Sequence, residues 1–285
     1  MRQQRQGVGT KERLDFTARL PAGRKHGPVA RMASAELKLC GLPAVKARFQ
    51  RDAASFRRLY FDYETGRKLG IICKALALAK KVYRCVEPAE LAKIAGTLHH
   101  GGVVAVVDEP ALRAPLPREM RAWAKAGTPL LLLDRIGNAH NVGAIARTAA
   151  FFGVAHIIIP AHASAALPGE SAHRIAEGGL EHLTLWRVPT LARFCAELRE
   201  AGYEVVGAAT RGGALTLPAL TGGGGGGGPR ALVLGNEEHG LAAEVADACT
   251  RLVTIPGSGK IESLNVSAAA AILMFALLKP VVSKQ

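Results

Sequence analysis

Apolar positions along this chain recur with two periods. Leu130–Leu133 and His156–Ile159 are short, continuous apolar runs, and the stretch between them, Val142–Phe152, repeats apolar residues with a helical period. Strand, helix and strand at this spacing predict a parallel crossover whose strands are covered on both faces. Strands at Leu183–Arg187, Tyr203–Ala208, Ala231–Leu234 and Leu252–Ile255 and helices at Leu191–Ala201 and Leu264–Leu278 continue the alternation. Residues 128–285 are therefore expected to form a helix-covered parallel sheet.

The segment before it is built differently. Ala35–Arg51 reads as a helix, Ala54–Asp62 as a strand, Glu64–Ala79 as a helix, Val82–Val86 as a strand, Pro88–Gly96 as a helix and Val103–Val107 as a strand. These pieces make a small α/β module over 33–110. Residues 111–127 are rich in Pro and Arg and predict a linker carrying a short helix. Residues 1–32 mix Arg, Lys and Gly with polar residues and predict a disordered basic arm. The glycine run Gly222–Gly228 is expected to be a mobile loop.

Charge sharpens this division. Lys+Arg minus Asp+Glu is 8−2 = +6 over 1–32, 13−8 = +5 over 33–110, 4−1 = +3 over 111–127 and 12−12 = 0 over 128–285. A basic front half and a neutral back half suggest that a polyanion is captured by one and chemistry performed by the other. The five cysteines are scattered, without a C-x-x-C pair, so neither a zinc site nor a disulfide framework is expected. With no secretory signal and no apolar run of membrane-spanning length, the sequence predicts a cytoplasmic protein with no membrane segment.

Sheets with glycine-rich turns invite a nucleotide reading, which the residues exclude. Gly235–Gly240 begins like a P-loop, but Leu241 and Ala242 stand where Lys and Ser/Thr are required. No G-x-G-x-x-G follows the first strand of either half, and G-x-S-x-G and H-E-x-x-H are absent. The candidates that remain lie just beyond apolar strands. Asn141 opens a helix, where an ordinary N-cap would explain it. Arg147 sits one turn after Gly143 in a helix of Ala, Ile and Phe, so its guanidinium needs a partner or solvent. Glu237 follows the strand Ala231–Leu234, placed to pair with Arg147 or to cap a helix. Ser263 and Asn265 precede the last helix, after the tight turn Pro256–Gly259 with its exposed main chain.

In order and spacing, Asn141–Gly153 (N-x-G-A-x-x-R-T-A-x-x-F-G), Leu234–Leu241 (L-G-x-E-x-x-G-L) and Ile255–Ser267 (I-P-x-x-G-x-x-x-S-L-N-V-S) resemble the three motifs of the SpoU/TrmH class of SPOUT RNA 2′-O-ribose methyltransferases. The module at 33–110 is similar to the substrate-binding domain that precedes them. The resemblance implies a SPOUT domain with a deep trefoil knot, S-adenosylmethionine as methyl donor, ribosomal or transfer RNA as substrate, a homodimer, and no metal. By motif position it implies Gly235, Ile255 and Leu264 as donor contacts, and Asn141, Arg147, Glu237, Ser263 and Asn265 as the catalytic set. In the mechanism expected from these residues, Glu237 holds Arg147 in place. A general-base role would ask a guanidinium to lose its proton near neutrality at a cost of roughly 9 kcal/mol. Electrostatic clamping of a phosphate is the cheaper role. The competing reading is a noncatalytic RNA-binding or ribosome-assembly factor on the same scaffold. A small-molecule methyltransferase leaves the basic front half without a purpose.

Overall fold

Positions 36–40 alternate buried and solvent-facing side chains, and this period of two makes Glu36–Cys40 a strand, β1. The computed structural model describes residues 35–210, 214–217 and 228–278. The basic arm at 1–32 and all but the last residue of the glycine run lie outside them. The single helix expected over Ala35–Arg51 is thus split: Gly41, at φ 93°, ends the strand, and α1 spans Leu42–Asp52 with Pro43 in its first turn.

After β2 (Phe56–Phe61), the helix expected over Glu64–Ala79 is two pieces, α2 (Tyr63–Gly66) and α3 (Gly70–Leu78). Between them the amides of Lys68 and Leu69 bond three residues back, to Thr65 and Gly66. Then follow β3 (Val82–Cys85), α4 (Pro88–Ala95) and β4 (Val103–Asp108). The sheet runs β1-β4-β2-β3, antiparallel except for the parallel β2–β3 pair. Helices α1 and α3 cover one face, over Leu39, Leu59 and Phe56, and α4 covers the other with Leu91 against Val104.

Residues 111–127 carry the expected short helix and pack it on the larger sheet. The short helix α5 (Pro117–Ala126) buries Met120. Ahead of it, Arg113 forks onto Glu119 (2.8 and 2.6 Å) and lies 4.5 Å from the Trp186 ring. Arg113, together with the amide of Leu116, pulls the Glu119 carboxyl down to about 2.

The second sheet contains β5 (Leu130–Leu133), β6 (His156–Pro160), β7 (Thr184–Val188), β8 (Glu204–Ala208), β9 (Leu215–Thr216), β10 (Arg230–Leu234) and β11 (Arg251–Thr254). Its order is β7-β6-β5-β10-β8-β11-β9 and every neighbouring pair is parallel. Intervening helices are α6 (Ala139–Phe151), α7 (Glu170–Ala176), α8 (Leu191–Glu200), α9 (Ala243–Ala248) and α10 (Val266–Leu277), with a 3-10 turn at Gly179–His182. Leu131 and Leu133 point into the core under α6, α7 and α10, whereas Leu130 and Leu132 point into the core under α5, α8 and α9. Burial on both faces explains the uninterrupted leucine run, each side chain contributing roughly 1.5–3 kcal/mol. In the same interior, burial pushes the Cys195 and Cys249 thiols up to about 12, which keeps them protonated. No helix among the described residues is long and apolar enough to cross a membrane.

Candidate active site

Strands β5 and β10 lie side by side and end together at Leu133 and Leu234, so the loops that follow meet at one edge of the sheet. Asp134, nearly fully buried, joins them: its amide donates to the Leu234 carbonyl (2.8 Å) and its Oδ2 accepts from the Ala242 amide (2.7 Å). Asn236 closes the second loop on itself. It exchanges two backbone bonds with Gly240, and its Oδ1 accepts from the amides of Glu238 and His239 (3.0 Å each). Its Nδ2 donates to the Arg135 carbonyl (2.8 Å). Gly235 is packed so closely on this hairpin that a Cβ would lie 2.4 Å from the Gly240 carbonyl carbon. Only glycine fits there.

Above these loops opens a cleft of about 740 Å³, lined among others by Gly137, Asn138, Asn141, Glu237, Ser263 and Asn265. Its polar side chains form one oriented chain. The Ser267 amide, which can only donate, bonds Asn265 Oδ1 (2.8 Å) and so turns Asn265 Nδ2 toward Asn141 Oδ1 (3.2 Å). Asn141 Nδ2 is then left to donate to Glu237 Oε1 (2.8 Å), while Glu237 Oε2 accepts from the Gly137 amide (3.3 Å). Residues 96 and 124 positions apart are joined in a single network.

Of the expected site, Asn141, Glu237, Ser263, Asn265 and Leu264 line the cleft. Gly235 supports it from beneath through the hairpin, and Ile255 is half-buried against the core instead of lining it. Arg147 also stands outside the lining. Its guanidinium pairs with Glu177 at 3.0 Å, and Glu237 pairs with Asn141, so the expected Glu237–Arg147 contact is replaced by two others. The reason is helical spacing: Arg147 lies six residues beyond Asn141, about 9 Å along α6. The N-caps differ as well. Asn138, not Asn141, caps α6 by accepting from the His140 amide, and Asn265 caps α10. Asn141 is thereby freed for the cleft.

Sequence reasoning missed Gly137, Asn138 and Asn236. A polar stretch directly after the Leu130–Leu133 strand was the available signal for the first two. Among the described residues, no group of three or more His, Cys, Asp or Glu is placed to hold a metal ion.

The chain also matches known proteins over both halves. A model of the family described as "SpoU rRNA Methylase family" matches residues 129–275, just over half of the chain. The chain belongs to the SpoU rRNA methylase family. A second family model, "RNA 2'-O ribose methyltransferase substrate binding", matches residues 38–112 of this SpoU chain. A relative from Nitrosomonas europaea, named 23S rRNA (guanosine-2'-O-)-methyltransferase RlmB, is 33% identical over 237 residues, 82% of this chain and 88% of the relative. One of the same name from Ralstonia nicotianae is 34% identical over 239 residues, 83% and 93% of the two chains. Among solved structures, a TrmH-family protein from Porphyromonas gingivalis superposes with a TM-score of 0.65 at 26% identity, covering 85% of this SpoU chain and 88% of its own. The AdoMet-bound rRNA methyltransferase of Sinorhizobium meliloti gives a TM-score of 0.71 at 22% identity, over 87% and 88%, a likeness of fold.

Proposed function

We propose that this SpoU-family chain transfers a methyl group from S-adenosylmethionine to a ribose 2′-hydroxyl of ribosomal RNA, with a guanosine of 23S rRNA as the target that its relatives' names favour. The observation that carries the reading is the oriented Ser267–Asn265–Asn141–Glu237 network in the cleft at the ends of β5 and β10. The cleft suits the donor in size, since small-molecule sites run from roughly 300 to 1,000 Å³. It suits it in charge too, because Glu237 and Glu238 face a space that a cationic sulfonium would enter. Bound there, the donor supplies an electrophilic methyl group that already carries its leaving group.

The chain's own residues then have separate tasks. Main chain around Gly235–Gly240 and Leu264 holds the donor. Asn141 and Asn265, their amides fixed by Glu237 and Ser267, orient the ribose. Ser263, also in the lining, hydrogen-bonds the sugar. Arg147, outside the lining, fixes an RNA phosphate in exchange for Glu177. In this division residues 33–110 capture RNA, residues 128–285 perform the transfer in the cytoplasm, and 111–127 connect them. The knotted path implied by the resemblance is part of the reading. It is supported by α10, which after β11 returns across the sheet to pack on α6 and β10; an experimental chain trace without the threading would remove it.

A homodimer is also proposed. Phe151 at the end of α6 and Phe275 on α10 are 83% and 67% exposed, and Phe152 bridges their rings. Apolar surface of this kind marks an interface, and α6 carries Arg147 and Asn141 besides. Sedimentation equilibrium should give twice the chain mass; a monomer at micromolar concentration would end this part of the reading.

The decisive test is methyl transfer. Ribosomal RNA from cells lacking the protein should accept tritiated methyl from S-adenosylmethionine at a ribose, and Asn141→Ala should abolish most of it. Failure of the chain to bind S-adenosylmethionine in calorimetry would favour the noncatalytic assembly factor.

A further inference from the structure

Between Thr65 and Val86 the chain carries six cations, Arg67, Lys68, Lys74, Lys80, Lys81 and Arg84, and no Asp or Glu. The fold sets this stretch at one edge of the small sheet. Helix α3 turns Ile72 and Leu76 into the core, while Ile71, Lys74 and Leu78, spaced by three and four, share its outer face. Ile71 and Leu78 are 82% and 79% exposed. Strand β3 is the edge of its sheet and all four of its residues are exposed.

Register places the side chains on β3. Tyr83 is paired with Leu59 and Arg84 with Tyr60 in a parallel ladder, where partners point to the same side. Tyr83 therefore lies on the α3 side, and Arg84 on the α4 side of the open edge. Lys81 is tied to the Ala54 carbonyl (2.6 Å), whereas Arg67, Lys68, Lys74, Lys80 and Arg84 make no ion pair among the described residues. On the neighbouring strand β2, by contrast, both arginines are neutralised. Arg57 sits 2.5 Å from Asp108 and 3.0 Å from Glu36, and Arg58 pairs with Glu36 as well.

We propose that the α3–β3 edge is the surface that holds the RNA: Lys74, Lys80 and Arg84 take phosphates, and the Tyr83 ring takes an unpaired base. This rests on the functional reading above. Uncompensated cations around an exposed ring match a strand of alternating phosphates and bases. A peptide added along β3 would satisfy the backbone edge but leave the cations on α3 and in the turn unpartnered.

The test uses the full chain and 23S rRNA transcribed in vitro, with affinity measured over a range of salt. Lys74→Gln/Lys80→Gln/Arg84→Gln should weaken binding at low salt by at least ten-fold and reduce the log–log salt slope by roughly 2, at about 0.7 per lost contact. Tyr83→Ala should weaken binding several-fold with the slope unchanged. In both variants affinity for S-adenosylmethionine should equal that of the wild type. A triple variant with wild-type affinity and slope, or with weakened binding at an unchanged slope, overturns the assignment. Should the wild type bind this RNA and never methylate it, the proposed chemistry falls while the surface stands; should the triple variant methylate with a wild-type KM for RNA, the surface falls alone.

Discussion

Glu181→Ala is expected to cost about 3–5 kcal/mol of folding stability, read as a lowered urea midpoint, because it strips the counter-charge from a buried guanidinium. Arg48 of α1 and Glu181 of the 3-10 turn face each other with Nε and Oε2 2.8 Å apart, their side chains 5% and 1% exposed. The contact is one of charge rather than alignment, since the Arg48 Nε–H makes no hydrogen bond of normal angle. His173 of α7 adds Nδ1 at 3.3 Å from the other carboxylate oxygen. Beside this cluster, Arg51 donates to the carbonyls of Glu181 (3.0 Å) and Leu183 (2.5 Å). These contacts dock the small module onto the turn that packs against α6. Burying such a pair brings little net gain, whereas removing one partner leaves the other desolvated and alone. Arg48→Met/Glu181→Leu should therefore recover most of the loss. A Glu181→Ala cost below about 1 kcal/mol would mean that water reaches Arg48 and that the docking is looser than described.

What the sequence made legible divides along the same physical lines. The parallel sheet was readable because strands buried on both faces must be apolar throughout, and Leu130–Leu133 admits hardly any other placement. Glu36–Cys40 was not, since Ala, Glu, Leu and Lys favour helices intrinsically, and the two-residue alternation ran for only five positions before Gly41. Helix α7, in a Gly-flanked stretch without a clear apolar period, gave no signal either. For the candidate site, residue types and their places after strands were visible; their pairings were not. Whether Glu237 meets Arg147 or Asn141 depends on where two loops close across 96 residues, and whether Asn141 caps its helix depends on which of two nearby asparagines comes first. Local pattern carries neither fact.

Arg147→Ala is expected to lower turnover about 100- to 1,000-fold, the loss typical of removing one charge-stabilising donor, with affinity for S-adenosylmethionine unchanged. Its environment argues for that role over proton abstraction. The Arg147 side chain is 56% exposed and its fork already faces a carboxylate, a setting that suits a grip on an anion. Its partner Glu177 is 57% exposed, so the pair contributes at most about 1 kcal/mol and a phosphate can replace the carboxylate. Glu177 is held there at some cost, in the left-handed conformation at φ 45°, where Glu is uncommon. Glu177→Gln should accordingly strengthen RNA binding and lower the KM for RNA, and should do neither in an Arg147→Ala background. Arg147→Lys, which keeps the charge and loses the planar fork, should fall between wild type and alanine. Near-native turnover of the lysine variant would rule out a two-pronged grip on phosphate, and near-native turnover of the alanine variant would remove Arg147 from the reaction.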